Sequence, residues 1–92
     1  MMKYLLVEDE RFAYEEIKRM MQALRADYQM IGWAESVEQA VGFLKQGNID
    51  LMIVDIRLSD GISFEIFEQC PIEIPVIFTT AYDEYALKAF KV

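Results

Sequence analysis

Hydrophobic and polar positions divide the chain into two kinds of segment. Four short runs are almost continuously apolar: KYLLV (3–7), MIGWA (30–34), LMIV (51–54) and VIFTT (76–80). Runs of this length, rich in branched side chains, predict strands buried on both faces of a parallel sheet. Between them the apolar positions take helical spacing. Ala13, Ile17, Met20 and Leu24 make one stripe, Val37, Ala40, Val41 and Leu44 a second, and Ser63, Ile66, Phe67 and Cys70 a third. Ser36, followed three positions later by Gln39, is a capping-box signature for the start of the second helix. Gly47 and Asn48 end that helix, Pro71 stops the third, and Asp83 can cap a last helix running to the C-terminus. The alternation βαβαβαβα predicts a doubly wound α/β fold with right-handed crossovers. Met20, Met21, Trp33 and Phe43 read as volume for its core.

At 92 residues the chain makes at most one domain, and 54% hydrophobic residues with 13% aromatics argue for a packed globule and against disorder. No apolar run approaches the roughly 20 residues of a membrane span. MMKYLLV is too short for a signal-peptide core and runs into EDER with no cleavage site, so the chain reads as cytoplasmic. The single cysteine, Cys70, fits a reducing compartment. With no histidine, imidazole catalysis and histidine zinc sites are excluded. The formal charge is −7, from 16 acids against 9 scattered bases, a surface that repels phosphate backbones and predicts no direct nucleic-acid binding.

Acids stand where the first and third apolar runs stop: Glu8 and Asp9 follow KYLLV, and Asp55 follows LMIV. Open parallel sheets bind ligands beyond the carboxyl ends of their strands, where strand order reverses. If the first and third strands are neighbours, three carboxylates converge there and require a cation. Oxygen ligands suit Mg²⁺ better than zinc. The fourth run ends in Thr79, Thr80 and then Ala81, offering a hydroxyl and a backbone N–H to phosphoryl oxygens. A carboxylate nucleophile, a metal and an anion pocket together describe phosphoryl transfer onto Asp55. Blander readings exist for each part. Glu8, Asp9 and Glu10 would favour the dipole of the first helix. Asp55 would initiate a turn near Asp60-Gly61, and Thr80 would be a strand former. Tyr82, Tyr85 and Phe90 would be packing or a partner face.

VEDE, LMIVDIRLSDG and VIFTTAYDEYALKAF, in this order, resemble the receiver domain of two-component response regulators. TTAYDEYALKAF is most similar to receivers that precede LytTR-type DNA-binding domains. The resemblance covers the whole chain. It implies a flavodoxin-like fold of strand order 2-1-3-4-5, of which 2-1-3-4 falls within these residues. It further implies that Asp55 is the phosphoacceptor, that Asp9 is the main Mg²⁺ ligand with Glu8 supporting through water, and that the backbone carbonyl of Arg57 completes the protein ligands. Thr80 would be the switch hydroxyl and Ala81 a backbone donor to the phosphoryl group. A histidine kinase would be the phosphodonor, and transcription regulation the output of the full-length protein. The domain would catalyse only its own phosphorylation and dephosphorylation. The chain departs from the family by stopping at Val92, before the fifth strand and helix that carry the family's lysine and aromatic switch residue. Residues 1–92 are therefore expected to form a receiver incomplete at its C-terminus, phosphorylated slowly, and either self-associating through Val76, Ile77 and Phe78 or the helix of Tyr85 and Phe90, or markedly less stable than a complete receiver. Two other functions compete. A phosphatase of the haloacid dehalogenase type would want an acid where Arg57 stands. A receiver-like assembly module would have no phosphorylation at all.

Overall fold

The computed structural model describes residues 2–79. In chain order its elements are β1 (Lys3–Val7), α1 (Arg11–Leu24), β2 (Gln29–Ala34), α2 (Val37–Gln46), β3 (Leu51–Val54), β4 (Arg57–Leu58), β5 (Gly61–Ile62), α3 (Phe64–Gln69) and β6 (Val76–Phe78). The last expected helix, with Asp83, lies outside the described residues. β2, β1, β3 and β6 form one parallel sheet in that order. This is the expected 2-1-3-4 arrangement with one addition: β4 and β5 pair antiparallel as a separate small hairpin.

The strands form where the apolar runs predict them, but only β1 and β3 are covered on both faces; β2 and β6, which flank them, are part-buried rather than doubly buried as expected. Every residue of β3 and Tyr4 to Val7 of β1 are buried. On one face Leu5, Val7, Met52 and Val54 pack with Val37, Ala40, Val41 and Ile66 of α2 and α3. On the other, Tyr4, Leu6, Leu51 and Ile53 meet Tyr14, Ile17 and Met21 of α1. Each fully buried Leu, Met or Ile contributes about 1.5–3 kcal/mol relative to exposure. The β1–β2 register shifts between Tyr4 and Leu5, setting Gly32 opposite Leu5. A side chain at Gly32 would run into the Phe43 ring at 2.5 Å, so the glycine lets α2 lie against the sheet.

Helix ends follow local chemistry. Ser36 caps α2 by accepting from the Gln39 N–H at 3.1 Å, and Gly47 and Asn48 leave that helix with φ of 81° and 66°. The stripe on α1 differs from the expected one. Met20 is 58% and Leu24 72% exposed, while Tyr14, Ile17 and Met21 face the sheet. The helix is turned toward Tyr14 because that ring stacks on Trp33 of β2, centroids 3.8 Å apart. Met20 is therefore not core volume, whereas Met21, Trp33 and Phe43 do pack against the core. Among the described residues no helix is long and apolar enough to cross a membrane.

Candidate functional site

β1 and β3 are neighbours in register, with Val7 opposite Val54, so the residues that follow them leave the sheet side by side. Asp55 N–H donates to the Val7 carbonyl at 2.9 Å, and Glu8 N–H donates to the Ala34 carbonyl at 2.9 Å. The ladder thus carries the chain one residue beyond each strand and delivers Glu8 and Asp55 to the same edge. Strand order reverses between β1 and β3, which is where an open parallel sheet leaves a crevice.

Glu8, Asp9 and Asp55 converge in that crevice. One carboxylate oxygen from each lies within 4.8 Å of the others. Glu8 is buried, Asp55 half-buried and Asp9 exposed. Burial, then the Asp55 charge, pushes the Glu8 carboxyl up to about 7. Burial also raises Asp55, opposed by the bond its Oδ1 accepts from the Ile56 N–H at 2.8 Å and reinforced by the Asp9 charge. Burial and neighbouring negative charge raise Glu8 and Asp55 together, so the crevice is short of positive charge. Hard oxygen donors in that state fit Mg²⁺, which accepts such ligands and keeps water in its other positions. The helix-dipole reading of these acids fares less well. Glu10, at the N-cap of α1, makes no side-chain cap bond and no acid lies in the first turn. The Glu8 carboxylate folds back instead to accept from Glu10 N–H at 3.3 Å.

Arg57 opens the β4–β5 hairpin with its side chain exposed, two residues past Asp55. Thr79 ends the described chain at the same edge, donating its N–H to the Val54 carbonyl at 3.0 Å. Thr80 and Ala81 lie outside the described residues.

Two residues of this region escaped the sequence reading. Trp33 donates its indole Nε1–H to the Glu8 carbonyl at 2.7 Å. Asp60, in the hairpin turn, accepts from the Val37 and Glu38 N–H groups at 2.7 and 3.2 Å and so caps α2 from outside that helix. The Asp60-Gly61 turn signal was visible in the sequence; the partner of its carboxylate was not.

Comparison with known proteins agrees with this geometry. The family described as response regulator receiver domain matches residues 4–92. The sensory transduction protein LytT of Bacillus cereus is 39% identical over 95 residues, spanning 100% of this chain and 38% of the relative. The sensory transduction protein LytR of Streptococcus agalactiae is 37% identical over 94 residues, spanning 98% and 38%. The chain thus covers about two-fifths of these relatives. Among solved structures, the response regulatory domain of mrkE from Klebsiella pneumoniae aligns with TM-score 0.81 and 27% identity, over 98% of this chain and 75% of that one. The non-phosphorylated HemR receiver domain from Leptospira biflexa gives 0.79 and 27%, over 99% and 75%.

Proposed function

This chain belongs to the response regulator receiver domain family, in its LytT/LytR-type branch, and on that premise we propose that it is a switch set by phosphorylation of Asp55. The observation that carries the proposal is the meeting of Glu8, Asp9 and Asp55 within 4.8 Å at the reversal point of the sheet. An Asp55 oxygen attacks the phosphorus of a phosphohistidine on a histidine kinase. The P–N bond breaks, the imidazole keeps the electron pair and takes up a proton, and an aspartyl phosphate remains on this chain. Asp9, Asp55 and the Arg57 backbone carbonyl would hold Mg²⁺, with Glu8 supporting through water. When bound, Mg²⁺ supplies positive charge against the phosphoryl oxygens. Thr80 and Ala81 are the proposed donors to those oxygens.

The chain's own chemistry is confined to gaining and losing this phosphoryl group. Arg57 cannot act as the leaving-group acid that an aspartate-nucleophile phosphatase needs two residues past its nucleophile. A cytoplasmic location, a receiver domain over residues 1–92, self-association, and control of transcription in the full-length protein belong to the same proposal.

Incubation with Mg²⁺ and acetyl phosphate tests it. An acid-stable, base-labile phosphate should appear on Asp55 by mass spectrometry and vanish in Asp55→Asn and when the metal is chelated. Phosphate on another residue, or label persisting in Asp55→Asn, would overturn the assignment.

A further inference from the structure

The acid loop has little to hold it within its own segment. Between Val7, the last residue of β1, and Arg11, the first of α1, the chain runs through Glu8, Asp9 and Glu10. Its anchors come largely from β2. The Glu8 N–H is bound by the Ala34 carbonyl at 2.9 Å and the Glu8 carbonyl by the Trp33 indole at 2.7 Å. These two groups belong to successive planar peptides, so holding both fixes the dihedrals of Glu8 between them. That fixes the direction in which Asp9 leaves. The indole is held in turn: it lies on Tyr14 with ring planes 12° apart, and Tyr14 N–H donates to the Glu10 carbonyl at 3.0 Å. The indole thus holds the residue before Asp9, and the first backbone hydrogen bond of α1 holds the residue after it.

We propose that Trp33 is a positioning residue for the cation site, its indole N–H setting where the Asp9 carboxylate stands relative to Asp55. The bond lies at the short end of the range for N–H donors to oxygen. Partners that orient metal ligands from behind commonly change affinity by about tenfold or more when removed. Trp33 reaches the ligand set through the Glu8 backbone. The inference rests on the reading of Glu8, Asp9 and Asp55 as a Mg²⁺ site.

Trp33→Phe keeps an aromatic ring for Tyr14 and removes the N–H. Replacing Trp33 by benzothienylalanine, which exchanges the N–H for sulfur in a ring of the same shape, guards against a packing defect in the phenylalanine variant. Mg²⁺ affinity is measured by calorimetry well below the melting temperature. Amide exchange at Asp9 and Glu10 is followed without metal. Ile49→Val, in the segment between α2 and β3, serves as a control for general destabilisation. Both Trp33 replacements should weaken Mg²⁺ about tenfold and speed exchange at Asp9 and Glu10. The Ile49 variant should melt lower with Mg²⁺ affinity unchanged. The inference fails if both Trp33 replacements bind Mg²⁺ within about twofold of the parent while Asp9→Asn abolishes binding. It also fails if Asp9→Asn and Asp55→Asn leave binding intact, and that result removes the cation-site reading as well.

Discussion

Glu8 holds the clearest energetic consequence at the scale of single residues. Its carboxyl is pushed up to about 7, first by burial and then by Asp55. A folded-state value above the unfolded one means that the native chain binds the proton more tightly, so stability falls as pH rises from the unfolded carboxylate range to about 7. Metal-free protein should therefore melt several degrees lower at pH 7.5 than at pH 5, and Glu8→Gln should flatten that slope. Thermal melting across this range, in chelator, checks it; an unchanged slope in Glu8→Gln would show that the burden sits elsewhere. The convergence of Glu8, Asp9 and Asp55 was legible in the sequence because they follow two apolar runs that read as neighbouring strands, although each acid alone also had a helix-dipole or turn reading. Trp33 was not. A tryptophan in a strand reads as volume, and its partner is a backbone carbonyl 25 residues away, which leaves no mark in composition or spacing.

The elements were largely legible, and the departures have physical causes. The four main strands and three helices fall where periodicity put them; burial on both faces demands unbroken apolar runs in β1 and β3, whereas β2 and β6 are apolar but only part-buried. The β4–β5 hairpin was missed because its strands are two residues each, too short for any period to register. Yet it anchors α2. Asp60 accepts from two of that helix's free N–H groups, and Ser59 Oγ donates to the Glu35 carbonyl at 3.1 Å. The Val37 N–H bond holds the Asp60 carboxyl below its usual value. Stability from Asp60 is thus present above the unfolded carboxylate range and lost as pH falls through the lowered folded value. Asp60→Ala should cost about 1 kcal/mol, the ordinary worth of a helix cap, in denaturant melts at neutral pH, with the difference shrinking toward pH 2. An equal loss at both extremes would mean that Asp60 acts by packing. The stripe on α1 was misplaced for another reason: Ala13, Ile17, Met20 and Leu24 are a coherent face, but Tyr14 has a ring to stack on and they do not.

For the molecule as a whole, apolar surface is left over. Phe12, Met20 and Leu24 on α1 are 66%, 58% and 72% exposed, and Ile77 on β6 is 50% exposed. Tyr85 and Phe90, expected to form a contact face, lie outside the described residues, so the described surface places the stickiest positions on α1. Exposed groups of this size favour association, which a net charge of −7 opposes at low salt. Sedimentation of the 92-residue chain should show a mass that rises with concentration and with salt, and Met20→Glu with Leu24→Glu should return it to monomer. A constant monomer mass throughout would rule this surface out. The fold encloses one further property. Its only tryptophan stacks on Tyr14 beside the acidic crevice, within a body whose radius of gyration is 12.4 Å. Among the described residues, Tyr14 lies in ring contact with that indole, which emits from beside Glu8. The emission of that indole therefore reports on the ring's surroundings at the edge of the acidic crevice, the Glu8 carbonyl and the Tyr14 ring among them.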